Sequence, residues 1–284
     1  MNPVSFRAVS FQKIFREQYL LLPIFIFSLL LTFTNQSFPQ TFEVGLSGGD
    51  SYYLGDLNPG KHFQYPQLAY GLLIRYNFDS RWTVKLSGSR GVVKGNSATS
   101  TFLPGNMLKF ESPITDISGM VEFNFFDYYT GSDRNYITPY IYAGFGVFWY
   151  NPKSGGQNLR SLGTEGQNVG YQGRKPYSTT SLSIPFGLGL KYSLSRRICI
   201  AAFWEMHKTF TDYIDDISTT YYLNGPSISP NDQSSVLSDP SRDHQPGMQR
   251  GNPENNDWFA FFGVSVTYKF NIVSTRKCKE KKFN

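Results

Sequence analysis

The sequence predicts an all-β fold: an eight-stranded antiparallel transmembrane β-barrel with long extracellular loops. Three observations predict it. Segments of about ten residues, enough for a tilted strand to cross a bilayer, alternate apolar with small or polar side chains. The connections between them alternate long and short. Aromatics make up 17% of the chain and glycine is abundant, yet mean hydropathy is only −0.34, too polar for a bundle of transmembrane helices.

The chain divides into residues 1–40, 41–270 and 271–284. Residues 1–18 are mildly basic, with Arg7, Lys13 and Arg16, and 19–33 (YLLLPIFIFSLLLTF) form an apolar run ended by the polar TNQS. A spanning helix needs about 20 apolar residues, and this run is shorter and contains Pro23. It reads as a signal peptide cleaved near residues 34–40, although no A-x-A site is present. An uncleaved anchor is the alternative. No Cys follows the run, which argues against a lipoprotein.

The strands follow in order. Side chains on a strand point alternately to its two faces. In 42–50, Phe42, Val44 and Leu46 oppose Glu43, Gly45 and Ser47. In 68–78, Leu68, Tyr70, Leu72, Ile74 and Tyr76 oppose Ala69, Gly71, Arg75 and Asn77. The segments 82–89, 117–125, 137–150, 181–192, 198–207 and 262–270 repeat the split; 181–192 is the clearest, with Leu182, Ile184, Phe186, Leu188, Leu190 and Tyr192 on one face. Eight strands is an even number, as closed bacterial barrels require.

Such faces suit a soluble sandwich as well as a membrane barrel. The connections separate the two. They are 55–66 long, 77–81 short, 90–114 long, 128–136 short, 151–178 long, 193–197 short and 208–257 very long. A membrane barrel has short periplasmic turns and longer external loops, so both termini are expected in the periplasm and the chain in the outer membrane. Aromatics gather at both expected rims: Tyr76, Trp82, Tyr192 and Phe270 at one, Trp149, Trp204 and Trp258 at the other. The composition of 223–257, rich in Ser, Pro, Asn and Asp, is compatible with disorder.

A barrel of this OmpA-like size has an interior that side chains fill. Its expected lumen charges are Glu43, Arg75, Lys85, Glu122, Lys191, Glu205 and Lys269. Buried charges must pair or be wetted, so these residues read as structural, with a proton or ion path as the alternative. Closure of the first strand on the last places Glu43 near Lys269.

Other chemistry is sparse. Asp212, Asp215 and Asp216 open the longest loop and could offer oxygens to calcium, but without EF-hand spacing; loop-capping hydrogen bonds are the plainer reading. His207 is expected at the external rim near Asp212 and Ser218, yet no G-x-S-x-G is present, so no catalytic residue, metal ligand or cofactor is assigned. His62 and His244 fall in loops. Cys199 and Cys278 could form a bridge at the periplasmic side, although two isolated cysteines specify little. The net charge of +6 sits largely at the chain ends, and no basic stripe suggests nucleic acid. The basic tail 271–284 would suit an acidic periplasmic partner or lipid head groups.

Several stretches together resemble the PorG-like outer-membrane barrels of the type IX (Por, gliding-associated) secretion system: GGDSYYLGDLNP (48–59), IRYNF (74–78), ESPITDISGMVEFNFFDY (111–128), ITPYIYAGFGVFWYNP (137–152), LGTEGQ (162–167), IPFGLGLKY (184–192), KTFTDYIDDISTTYY (208–222) and RGNPENNDWFAFFGVSVTYKF (250–270). They cover nearly all of the chain after the leader, in order, and each alone is weak. The resemblance marks Asp56 and Asn58, then Asp212, Tyr213, Asp215 and Asp216, as a loop motif. It implies a non-enzymatic anchor of the secretion machinery, monomeric within a larger complex. Its expected partners are outer-membrane lipids and PorK- and PorN-like periplasmic ring proteins. The tail beyond Phe270 and the weak cleavage site depart from the family pattern. A surface adhesin or small pore working through its loops, and a lipid-modifying barrel enzyme, are the other classes the sequence leaves open.

Overall fold

The computed structural model describes residues 41–100 and 105–271. The expected leader and the basic tail with Cys278 therefore lie outside the described residues, apart from Asn271, which ends the last strand. Eight long strands carry the fold: β1 (Thr41–Leu54), β2 (Gln67–Asn77), β3 (Trp82–Asn96), β4 (Lys109–Asn124), β5 (Ile137–Tyr150), β6 (Thr180–Ser193), β7 (Ile198–Thr209) and β8 (Trp258–Asn271). Each pairs antiparallel with the next. The sheet closes where β1 meets β8, from Thr41 opposite Asn271 to Leu54 opposite Trp258. Closure leaves no long strand with an unpaired edge.

Closure also orders the glycines. Gly49 and Gly263 face each other across the β1–β8 seam. A Cβ on Gly263 would stand 2.2 Å from the Gly48 carbonyl oxygen, so only glycine permits this approach.

In the lower part of the barrel the faces are those the alternation predicts. Leu46, Leu72, Leu86, Val121, Phe145, Leu188 and Val266 point outward and are exposed, and Phe145 is 78% exposed. Glu43, Arg75, Lys85, Glu122, Lys191 and Glu205 point inward and are buried. A water-soluble barrel shows the opposite distribution, so the outer surface is built to meet lipid.

Higher up, the polarity inverts. On β3 the outward residues become Arg90 and Lys94 while Val93 turns inward; on β4, Lys109 and Glu111 face out while Phe110 and Ile114 face in. Lys94 pairs with Glu111 at 3.3 Å on the outside. Val93, Phe110, Ile114, Phe148, Tyr150, Phe259 and Phe261 join Leu57, Leu159, Ile214 and Ile217 from the loops in one apolar core. The strands thus continue past the lipid-facing belt as an ordinary barrel with a dry core.

Three corrections follow, the first two explained by this inversion. The expected loop 90–114 is only 97–108, because β3 and β4 run on as an apolar-inside ladder. The last strand begins at Trp258, four positions before the expected 262, with Phe259 and Phe261 facing in. Residues 223–257 are not a structureless loop. They contain a helix, Gln233–Ser238, whose first N–H groups are accepted by the Asp232 carboxylate, and they bury Ile228, Ser238, Asp239, Arg250 and Asp257.

At the other end the turn expected at 128–136 spans 125–136 and folds into the barrel mouth. Tyr128 and Thr130 are buried there. Thr130 Oγ1 donates to Glu43 at 2.7 Å, and its carbonyl accepts from Lys269 Nζ. Gly131 follows at φ +92°, where a Cβ would lie 2.4 Å from the Arg196 carbonyl oxygen.

Candidate functional site

Two polar assemblies occupy the barrel, one within the lumen and one beneath the loops. In the lumen, Glu122 is the hub. Its carboxylate lies 2.6 Å from Lys191 Nζ, 3.2 Å from Arg75 Nε and 3.9 Å from Lys85 Nζ. Lys85 also pairs with Glu205 at 3.0 Å, and Lys191 donates to Asn124 Oδ1 at 3.0 Å. The faces of two tyrosines lie beside these cations: Tyr142 is 4.0 Å from Lys85 Nζ, and Tyr140 is 4.6 Å from Lys191 Nζ. Each cation thus has a carboxylate partner and an aromatic neighbour, which offsets the cost of burying it.

Glu43 and Lys269 are cross-strand neighbours, as closure predicts. Yet each is satisfied separately. Glu43 accepts from Thr130, from Thr267 at 2.8 Å and from Asn77 at 3.2 Å, while Lys269 bonds the Thr130 carbonyl. The inserted turn comes between them, and nothing in the local sequence signals that insertion.

His207 points into the lumen but does not meet Asp212 or Ser218. Its Nε2 lies 3.1 Å from Glu205, its Nδ1 3.3 Å from Ser183 Oγ and 3.7 Å from Asp116, and its ring stacks on Phe259 at 4.3 Å. β7 runs on to Thr209, which carries the chain away before Asp212 is reached. Ser183, His207 and Glu205 resemble a nucleophile–base–acid series. All three are buried inside the barrel, at 1%, 0% and 4% exposure, on the face away from lipid. Cys199 is buried in the lumen as a free thiol.

The loop motif forms the second assembly. Asp56, Asn58, Asp212, Asp215 and Asp216 are all buried, and Tyr213 is stacked on Tyr177 at 4.3 Å. Asn58 folds its own loop, donating from Nδ2 to the Tyr53 and Lys61 carbonyls at 2.8 Å each. Asp56 accepts from the Asn252 N–H at 2.9 Å. The Tyr53 hydroxyl lies between two carboxylates, 2.5 Å from Asp215 and 2.9 Å from Asp257. Asp216 accepts from Tyr177 at 2.6 Å and from Thr164.

Three residues that the loop motif omits complete this assembly: Glu165, Arg250 and Asp257. Glu165 accepts from the backbone N–H groups of Ser218 and Thr219 at 2.9 and 3.1 Å. Arg250 pairs with it at 3.1 Å and faces Asp216 at 3.7 Å. Arg250, one of two arginines in an acid-rich, proline-containing loop, was the available signal. The carboxylates outnumber this cation, and their ionisation responds. Burial, with Asp257 beside it, pushes the Asp212 carboxyl up to about 9. Burial and neighbouring carboxylates hold Asp215 and Asp257 well above the usual range. Burial raises Asp216 to about 6, with Arg250 restraining it. Among the described residues no three such side chains are arranged to hold a metal ion. The motif ties three loops together through these hydrogen bonds.

Residues 21–222 match the family described as a domain of unknown function (DUF6089). No curated protein matches the chain. Among solved structures, the attachment invasion locus protein Ail of Yersinia pestis, crystallised with the heparin analogue sucrose octasulfate, is 12% identical over 81% of this chain and 99% of its own, with a TM-score of 0.40. Neisserial surface protein A is 10% identical over 81% and 97%, at 0.43. The outer membrane protein OprG of Pseudomonas aeruginosa is 14% identical over 84% and 100%, at 0.38.

Proposed function

The chain belongs to that family of unknown function, and we propose that it is a non-catalytic anchor in the outer membrane, an accessory part of the type IX secretion machinery. The observation that carries the anchor reading is the filled lumen. Arg75, Tyr140, Lys191, Phe148 and Phe259 are fully buried across it, and the 125–136 turn occupies one mouth. A protein cargo cannot pass such an interior, whereas a rigid closed barrel can hold something to a membrane. The exposed apolar belt supports the membrane setting. The ends of the described chain, Thr41 and Asn271, pair side by side at the end with the short connections, the arrangement expected if both termini are periplasmic. The burial of Ser183 and His207 away from lipid supports a role without catalysis. The resemblance of the loop and strand motifs to PorG-like barrels supplies the choice of machinery and the expected PorK- and PorN-like partners.

The test is a crosslinking pull-down from outer membranes with a tag on the 271–284 tail. Recovery of periplasmic ring lipoproteins is expected. A well-inserted barrel that recovers none of them would remove the anchor reading and shift attention to the external loops.

A further inference from the structure

The external end carries a cavity of about 900 Å³ that meets the loop assembly only at Asp56 and Asn252, where the Asp56 carboxylate accepts from the Asn252 N–H. Strand parity places it outside the barrel. Leu54, Met206, Lys208 and Trp258 line it, and all four occupy outward-facing positions near the tops of β1, β7 and β8. Its two sides are the 55–62 loop segment and the 252–256 segment.

The floor is fixed. Residues 62–63 fold down the outer wall, where Phe63 packs on Phe262 at 4.9 Å and on Tyr52 at 5.1 Å. The Tyr52 hydroxyl accepts from Trp204 Nε1 at 2.8 Å and lies 3.0 Å from His62 Nδ1. This packing shields Tyr52 and Met206, which would otherwise face lipid. Below it, exposed Val264 and Val266 continue the apolar wall.

The chemistry is that of an amphiphile's head. Among the described residues Lys208 enters no salt bridge; its ammonium lies 5.9 Å from the Trp258 ring. An unpaired cation at the upper edge of a lipid-facing wall is suited to a phosphate. The Asn255 and Asn256 side chains on the rim can both donate and accept, as sugar hydroxyls require, and Glu254 can accept from them. The volume is within the range of small-molecule sites, about 300–1,000 Å³.

We propose that this cavity receives the phosphorylated sugar head of an outer-leaflet glycolipid, whose acyl chains lie on the adjoining wall. The proposal rests on the outer-membrane reading. It assigns the 55–66 loop a role in shaping a lipid site, and it gives the barrel a fixed lipid neighbour on the β7–β8–β1 side.

The test is native mass spectrometry of the full barrel extracted in detergent. It is offered a bisphosphorylated glucosamine-disaccharide lipid, the same lipid after phosphatase treatment, and phosphatidylglycerol. The wild type should retain the first at least about tenfold better than its dephosphorylated form, the scale of one charge-assisted contact, and also better than phosphatidylglycerol, which offers a phosphate without the sugar. Lys208→Ala should lose the preference over the dephosphorylated lipid and Lys208→Arg should keep it. Asn255→Ala with Asn256→Ala should weaken both sugar lipids while leaving phosphatidylglycerol unchanged. Equal retention of all three lipids, or an unaltered preference in Lys208→Ala, overturns the proposal. A shift in gel mobility on heating confirms folding of each variant. Absence of the wild-type barrel from the outer-membrane fraction would overturn this proposal together with the membrane reading; presence there without lipid selectivity overturns this one alone.

Discussion

Glu122 illustrates how much depends on one side chain in the lumen. It lies within 4 Å of Arg75, Lys85 and Lys191, all inside the barrel. Removing one partner of a buried ion pair costs about 3–5 kcal/mol, because the other charge remains buried without compensation. Glu122→Ala should therefore lower the unfolding midpoint markedly, read as loss of the heat-shifted band in urea. Adding Lys191→Met should recover part of the loss, since it removes the cation closest to the vacated site. An unchanged midpoint in Glu122→Ala would mean that the network does not hold the barrel. Asp212 makes a different prediction. Its folded pKa, about 9, lies above the ordinary aspartate value of about 4, so the folded loop binds the proton more tightly. The associated stability is fully present below pH of about 4 and is lost as pH rises toward about 9. Hydrogen exchange across 211–219 should quicken over that window, and Asp212→Asn, which cannot ionise, should reduce the response, with the raised carboxyls of Asp215, Asp216 and Asp257 supplying the remainder. A pH-independent profile in the wild type would contradict the assigned cause.

At the scale of elements, the turn 125–136 and the upper strands show what the sequence could and could not disclose. Alternation identified the lipid-facing part of every strand, because lipid demands an unbroken apolar outer face while the inner face tolerates Gly, Ser and paired charges. It failed above the belt, where Arg90 and Lys94 face out and Val93 faces in. There the solvent on the outside changes from lipid to water, and a pattern sought in one polarity reads as loop in the other. The loop motif Asp56, Asn58, Asp212, Tyr213, Asp215 and Asp216 does come together, although its partners Glu165, Arg250 and Asp257 were missed because their contacts join distant loops. The inserted turn was invisible for the same reason: Thr130 meets Glu43 only once the barrel has closed. Gly131 tests that turn. It sits at φ +92° against the Arg196 carbonyl, so Gly131→Ala adds both backbone strain and a clash. The expected cost is about 1–3 kcal/mol in the same urea assay. A neutral result would show that the turn can leave the mouth without affecting the barrel.

For the whole molecule, sidedness joins the fold to the proposed role, because an anchor for periplasmic partners must present its short-turn end to the periplasm. The chain contains its own reporter. Cys199 is buried in the lumen, and Cys278 lies in the basic tail that follows β8. A membrane-impermeant maleimide added to intact cells should therefore leave the wild type unlabelled, and labelling should appear at Cys278 once the outer membrane is permeabilised. Ser234→Cys in a Cys278→Ser background supplies the opposite reading, since Ser234 is exposed on the longest loop. It should label on intact cells. Labelling of Cys278 from outside, with Ser234→Cys protected, would invert the barrel. The external loops would then face the periplasm, the Lys208 cavity would meet inner-leaflet phospholipid, and both the anchor surface and the glycolipid site would have to be abandoned. Agreement with the expected pattern would confine any secretion partner to the short turns and the tail, the region that the crosslinking tag samples.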